Sequence, residues 1–244
     1  MTGNAVLEKL EAALASHGMT LRGGFAPGEW DGLPEAASGA ERTLLLVGNA
    51  GPEMYRHFFA APESSNGTDN PLDSWTRRVI APIAERFGAE ALFPFGGPPW
   101  HPFQRWAMRA EGLRASPLGI LIHPRFGVWH AYRAALLFQA ALPVAPAPAG
   151  VHPCDTCIER PCLTTCPAGA VTVERYDHLS CAGHAAAPAG EECSSRGCMA
   201  RRACPVGREH AYPAQALRFH MAAFLHNHAP RNSEPAPTVK LLIR

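Results

Sequence analysis

Eight cysteines are the residues of this sequence whose type and spacing could do chemistry. All lie between Cys154 and Cys204 of the 244-residue chain, and none falls outside that stretch. They form two imperfect repeats, each of which ends in Cys-Pro-x-Gly. Clustered thiolates bind soft metals, and a reducing compartment disfavours structural disulfides. The spacing therefore predicts metal ligands.

The order of these cysteines resembles that of two-cluster ferredoxins, in which three cysteines of one loop hold one [4Fe–4S] cluster and the cysteine before proline binds the other. The resemblance implies a first cluster bound by Cys154, Cys157, Cys162 and Cys204. It implies a second cluster bound by Cys166, Cys181, Cys193 and Cys198. Four residues, IERP at 158–161, stand where the ferredoxin run has two, so the first loop is enlarged. Because every iron can have a thiolate ligand, the chemistry implied is one-electron transfer.

A structural zinc protein, with two zinc ions bound by the eight thiolates, is the alternative. The spacing of Cys154 and Cys157 fits the C-x₂-C pairs of zinc sites. Zinc, however, requires neither groups of three plus one nor a proline after each final cysteine. The spacing favours iron–sulfur clusters over zinc.

Composition predicts how the chain is divided around these cysteines. A proline-rich linker at 142–153 precedes the first of them. The chain is 47% hydrophobic and long enough to bury a core. We expect three parts: an α/β cofactor- or partner-binding domain at 1–145, an iron–sulfur domain at 151–210, and a C-terminal helix with a loose tail at 211–244.

Periodicity and breakers predict the elements that position the cysteines. The segment at 127–138 is compatible with a strand or a helix, and alanines and glycines near 182–190 suggest a compliant loop. The helix at 71–87 is expected to be capped near Asp73 or Ser74. The remaining predictions are helices at 4–17 and 211–228 and buried strands at 42–51 and 117–124.

Charge and hydropathy argue against two classes of partner. The net charge is +1 and no basic run stands out, so no nucleic-acid partner is predicted. The N-terminal segment has acids where a secretion signal is basic, and the longest apolar run, at 134–145, is too short to span a bilayer. We therefore expect a cytoplasmic protein with no membrane partner.

Three stretches carry a wider resemblance. GILIHPRFGVWHAYRAALL at 119–137 resembles the CblC-type cobalamin-processing proteins. YDHLSCAGH at 176–184 and GCMARRACPVG at 197–207 resemble epoxyqueuosine reductase and the related reductive dehalogenases. The resemblance implies an α+β fold, with a nitroreductase-like α/β domain followed by a small ferredoxin-like domain that holds two [4Fe–4S] clusters. Epoxyqueuosine reductase has an acidic residue that serves as proton donor. At the corresponding positions this chain has Gln104 and Arg105, and Glu111 falls at a different place in the pattern.

The resemblance also implies a corrinoid, cobalamin, as the electron acceptor. Candidate cofactor-binding residues are His123, after a buried strand; Arg125, suited to an anion; and the aromatic residues Trp129 and Tyr132. Each also has an ordinary structural explanation, as a turn residue or as core packing. No catalytic residue is assigned.

The function implied is that of a corrinoid-dependent oxidoreductase. A reduced carrier of the flavodoxin or ferredoxin type would supply electrons, and the clusters would pass them to the acceptor. The alternative is a cobalamin-binding or trafficking protein that turns over no organic substrate.

Overall fold

The structure is a computed structural model that describes residues 2–34 and 41–229. The described chain forms two compact units. The first unit comprises residues 2–34, 41–113 and 130–150, and the second comprises 114–129 and 151–229. Residues 114–129, expected within the first domain, therefore belong to the same unit as the cysteines.

A four-stranded antiparallel sheet organises the first unit. Its strands, in spatial order, are β1 (Thr20–Phe25), β2 (Thr43–Ala50), β6 (His130–Phe138) and β3 (Ala89–Leu92). Strand β2 is buried over nearly its whole length, as expected for a central strand covered on both faces. At Gly48 the register against β6 shifts, and a side chain there would overlap the Ala131 carbonyl oxygen.

Four helices pack around this sheet, and two of them confirm the helical predictions. Helix α1 buries Leu10 and Leu14. Helix α3 begins at Pro71, earlier than the predicted cap, because proline suits the first helical position. The helices are α1 (Gly3–Ala15), α2 (Glu53–Phe59), α3 (Pro71–Arg86) and α4 (Phe103–Glu111).

The second unit contains short helices and one small hairpin. Strands β4 (Arg114–Ala115) and β5 (Leu121–Ile122) form the hairpin. The helices are α5 (Pro161–Thr164), α6 (His178–Ala186), α7 (Glu191–Arg196), α8 (Met199–Ala203) and α9 (Ala214–His228). Ala185, Cys193 and Met221 are buried together, against Phe224 and Leu225 of α9.

The predicted buried strand at 117–124 is wrong, whereas the strand at 42–51 is confirmed as β2. Within 117–124 only Leu121 and Ile122 form a strand, and they pair with Arg114 and Ala115 rather than with the main sheet. The ambiguous segment at 127–138 is a strand from His130 onward. An apolar run alone does not reveal its pairing partner.

The predicted loop at 182–190 is also wrong. Residues up to Ala186 belong to α6, and a 3₁₀ turn follows at Pro188–Gly190. Asp177 caps this helix by accepting a hydrogen bond from the Ser180 backbone N–H at 3.1 Å. Alanine is the best helix former, so a capped alanine-rich segment becomes helix despite its glycine.

The C-terminal helix is confirmed as α9, which ends at His228. The predicted loose tail lies outside the described residues from position 230 onward. Of the helices in the described part of the chain, none combines the length and the apolar character needed to cross a membrane.

Candidate metal centre

One cavity of the second unit collects four cysteines from both repeats. Its volume is about 510 Å³. Cys154, Cys157 and Cys162 line it from the first repeat, and Cys204 lines it from the second. Cys162 lies in α5, and Cys204 directly follows α8. The fold thus brings together the four residues expected to bind the first cluster.

Burial and mutual repulsion raise the pKa values of these thiols. Burial is the largest cause for Cys154, and the charges of Cys204, Cys162, Cys157 and Asp155 add to it, which raises the pKa of Cys154 to about 11. Burial, then Cys204 and Cys157, likewise raises the pKa of Cys162. Thiolates crowded in this way need a compensating cation, and a bound metal is one that suits sulfur ligands.

The other four cysteines form a second group. Burial is again the main cause of a raised pKa at Cys181, to which the charges of Cys166 and Cys193 contribute. Burial also raises the pKa of Cys198, and Cys181 and Cys166 contribute in the same direction. Cys166 of the first repeat therefore acts electrostatically on the cysteines of the second.

Nearby backbone N–H groups favour the thiolate form of three of these cysteines and oppose the rise in their pKa values. The N–H groups of Cys162 itself and Leu163 act on the sulfur of Cys162. Those of Ala200 and Arg201 act on Cys198, and that of Val206 acts on Cys204. Donors of this kind stabilise thiolates in iron–sulfur sites.

All eight cysteines are free thiols, with no disulfide among them. Within the described ranges, no group of three or more His, Cys, Asp or Glu side chains could hold a metal ion. A zinc ion draws its thiolates to about 2.3 Å from one centre. A [4Fe–4S] cluster requires wider spacing between the four sulfurs, because each thiolate binds a different iron. The cavity lined by Cys154, Cys157, Cys162 and Cys204 supplies the four thiol ligands that either a [4Fe–4S] cluster or a zinc ion takes.

A turn of the second unit packs directly on the backbone that follows Cys204. A side chain at Gly127, where φ is +56°, would overlap the Val206 carbonyl oxygen. A side chain at Gly207 would likewise overlap the backbone of Phe126. The two glycines allow the HPRFG turn at 123–127 to support the segment that carries the last cysteine.

Arg201 of α8 contacts the residues that follow this turn. Its Nη2 and Nε donate to the Val128 carbonyl oxygen at 2.6 and 3.2 Å. Its guanidinium lies 4.8 Å from the Trp129 ring centroid and 4.9 Å from that of Tyr212. Arg201 thereby ties α8, which ends beside Cys204, to residues 128 and 129.

Three of the candidate cofactor-binding residues lie in or directly after this turn. The His123 Nδ1 accepts hydrogen bonds from the backbone N–H groups of Arg125, at 3.0 Å, and of Phe126, at 3.1 Å. Trp129 is 2% exposed and packs edge-on against Tyr212. Arg125 is exposed, which leaves its guanidinium accessible to an anion.

Tyr132, the fourth, lies in the first unit, within a buried network that sequence patterns did not reveal. Arg22 donates to both oxygens of Glu111, from Nε at 3.0 Å and from Nη2 at 2.8 Å. The Tyr132 hydroxyl donates to Glu111 Oε2. Burial is the main cause of a raised pKa at Tyr132. Arg22 and Glu111 are 89 positions apart, which no periodicity detects.

Two further residues at the cavity were missed. Arg114 donates to Asp155 Oδ2 at 2.5 Å, beside Cys154, and this hydrogen bond is the main cause of a lowered pKa at Asp155. Tyr176 lines the cavity and opposes the rise in the pKa of Cys181, which belongs to the other cysteine group. The sequence feature that could have identified Tyr176 is its position five residues before Cys181 in YDHLSC.

Solved structures provide the comparison with known proteins. The B12-trafficking protein CblC of C. elegans, a homologue of human MMACHC, matches with a TM-score of 0.51 and 13% identity over 95% of this chain and 100% of that chain. An epoxyqueuosine reductase, solved with a tRNA-Tyr stem loop, matches with a TM-score of 0.50 and 14% identity over 87% and 68%.

The likeness is one of fold. It confirms, at that level, the resemblance to CblC-type proteins and to epoxyqueuosine reductase. The epoxyqueuosine reductase from Bacillus subtilis also matches, with a TM-score of 0.49 and 15% identity over 87% and 68%. No family model matches the chain, and no curated protein matches its sequence.

Proposed function

We propose that this protein is a corrinoid-dependent iron–sulfur oxidoreductase that passes single electrons through two [4Fe–4S] clusters to a corrinoid held by the first unit. A reduced carrier of the flavodoxin or ferredoxin type supplies the electrons, in the cytoplasm. The observation that supports this proposal is the cavity lined by Cys154, Cys157, Cys162 and Cys204. Its four thiols come from both repeats, as crossed ligation requires.

The residues of the second unit have distinct roles in this proposal. When bound, the clusters supply one-electron transfer. Eight thiolates hold them, while Pro167 and Pro205 turn the chain away after Cys166 and Cys204. Backbone N–H groups stabilise the negative charge on the sulfurs. Arg201 and the HPRFG turn fix the segment that presents Cys204.

The corrinoid is proposed from the fold alone. The C. elegans neighbour is described as a B12-trafficking protein. Of the four candidate residues, Arg125 is proposed to bind an anionic group of the cofactor, because its guanidinium is exposed. His123 has a structural role in the turn at 123–127, and Trp129 has one in packing against Arg201.

A stopped-flow experiment tests this function. Protein with both clusters, prereduced with dithionite and desalted without oxygen, is mixed with hydroxocobalamin. We expect the corrinoid spectrum to change to that of reduced cobalt while the cluster absorbance near 400 nm recovers. The matched control is Cys154→Ala/Cys181→Ala, which lacks one ligand in each cysteine group. Reduction at equal rates in both proteins, or in neither, would contradict the proposed electron path.

The neighbour's full coverage favours a second candidate, cobalamin handling without organic turnover. Under this alternative the clusters reduce cobalt for delivery to another protein. Stoichiometric cobalt reduction, with no consumption of added organohalide or epoxyqueuosine-modified tRNA, would favour cobalamin handling over the oxidoreductase.

A further inference from the structure

The first unit contains a cavity that the proposed function does not use. Its volume is about 380 Å³, and none of its lining residues lines the cavity of the cysteines. Four of the lining residues are basic: His17, Arg56, His57 and Arg78. Apolar residues, among them Trp75 and Val79, form the rest of the lining. Within the described part of the chain, this lining contains basic and apolar side chains and no carboxylate.

The turn that follows α1 brings the two histidines together. His17 lies in this turn, directly before Gly18, where φ is +68°. A side chain at Gly18 would lie 2.5 Å from the backbone nitrogen of Met54, so the turn packs directly on the start of α2. His57 lies one helical turn further along α2. The centroids of the two imidazole rings are consequently 6.4 Å apart.

Helix α3 adds Arg78 to this pair of histidines. The indole ring of Trp75 packs edge-on against Phe58 of α2, with 5.9 Å between the ring centroids, and this contact joins the two helices. Arg78 lies one turn after Trp75, on the same side of α3. Among the described residues, its hydrogen bonds run from Nε and Nη2 to the carboxylate of Glu63. The Nη1 group of Arg78 is therefore left to donate to a ligand.

The charges around the cavity balance only while both histidines are neutral. Each arginine is paired with a glutamate, Arg56 with Glu53 and Arg78 with Glu63. Glu53 also lies 3.4 Å from the Nε2 of His57. Protonation of His17 and His57 would therefore leave an excess of two positive charges. Burial, followed by the charges of His57 and Arg78, lowers the pKa of His17, and a bound anion would oppose that effect.

We propose that this cavity binds a tetrahedral dianion of the phosphate class, as inorganic phosphate or as the phosphate group of a small monoester, and that binding is coupled to protonation of His17 and His57. Arginine and protonated histidine donate charge-assisted hydrogen bonds to phosphate oxygens. A phosphate monoester carries nearly two negative charges at neutral pH, which matches the excess in the cavity. The volume also suits a small organic molecule. The proposal depends neither on the clusters nor on the corrinoid.

Calorimetric titration of the full-length protein with sulfate tests this coupling. Sulfate stays a dianion between about pH 5.5 and about pH 7.5, a range in which histidine titrates, so any pH dependence belongs to the protein. At constant ionic strength we expect one sulfate to bind per chain, about tenfold more tightly at the lower pH, because proton and anion binding are reciprocal. An affinity that does not change with pH, or the lack of saturable binding, would overturn the proposal.

His17→Gln should bind sulfate about tenfold more weakly at the lower pH and should show a smaller pH dependence, because one of the two titrating groups is gone. The matched control is His101→Gln, which removes a half-buried histidine of the same unit that does not line the cavity. This control should bind sulfate as the wild type does. Equal sulfate affinities of the two variants would refute the role of His17.

Ala60 provides a second pair of variants, in case His17→Gln does not fold. Ala60 is exposed, follows the last residue of α2 and lines the cavity. Ala60→Glu places a negative charge there, whereas Ala60→Gln adds a side chain of similar size without a charge. We expect Ala60→Gln to retain sulfate binding and Ala60→Glu to lose it. Binding of sulfate by both variants with the same affinity would contradict an anion site.

The source of the dianion is distinguished by titration of the wild type with phenyl phosphate and with inorganic phosphate. Tighter binding of phenyl phosphate would support a monoester whose organic part contacts the apolar lining at Trp75 and Val79. Equal affinities would support the inorganic ion. Binding of neither compound would overturn the proposal.

Discussion

Cys204 and Cys154 line the same cavity although they belong to different repeats. The charge of Cys204 is also the largest electrostatic contribution, after burial, to the raised pKa of Cys154. Cys166, by contrast, acts on Cys181 and Cys198. Each Cys-Pro cysteine is thus grouped with the opposite repeat, and this arrangement predicts how paired substitutions behave.

The double variant Cys154→Ala/Cys204→Ala should keep one complete cluster, because both changes fall in the first group. Cys181→Ala/Cys204→Ala should keep none, because it removes one ligand from each group. Spin quantitation of the reduced proteins measures the difference, with about one [4Fe–4S] spin per chain expected for the first variant. The reverse result would indicate that each repeat binds its own cluster.

Gly127→Ala should destabilise the second unit and disturb the first cluster. A positive φ costs alanine about 1 kcal/mol, and overlap with the Val206 carbonyl adds about 3 kcal/mol. Gly169→Ala is the matched control, because φ there is +59° and nothing lies within 4 Å of an added side chain. Urea unfolding measures both variants. Equal losses would show that the contact with the Cys204 segment contributes nothing.

Arg201→Met should lower the free energy of unfolding by about 2 kcal/mol, because the Val128 carbonyl loses both donors and two aromatic rings lose a cation. The exposed residue Arg196 of the neighbouring helix provides the comparison. Arg196→Met should change stability by less than about 0.5 kcal/mol. The idea that Arg201 secures the turn fails if the two variants unfold at the same urea concentration.

Glu111→Gln should destabilise the first unit by about 3 kcal/mol, because it leaves the charge of Arg22 buried without its carboxylate partner. Glu53→Gln removes an exposed ion pair with Arg56 and should cost about 0.5 kcal/mol or less. Thermal or urea unfolding distinguishes the two. A small loss for Glu111→Gln would mean that water or another group compensates Arg22.

Local patterns in the sequence predicted the central elements but not their partners. Strand β2 and helices α1 and α3 follow from apolar runs and periodicity. The hairpin that contains Leu121–Ile122 does not follow from such patterns, because its pairing with Arg114–Ala115 depends on where the chain turns.

The residues of the candidate site, too, were predicted only in part from the sequence. Cysteine spacing predicted which four thiols the fold brings to one cavity. The buried pair of Arg22 and Glu111 depends on a contact between segments 89 positions apart, which spacing does not encode. The loop expected at 182–190 is helical because the Asp177 cap and the alanines outweigh the glycine.

Iron and acid-labile sulfide, measured on protein purified without oxygen, test the central claim most directly. Two [4Fe–4S] clusters on eight thiolates predict about eight iron and eight sulfide per chain, with broad absorption near 400 nm. A colourless protein that contains about two zinc ions per chain and neither iron nor sulfide would contradict the account.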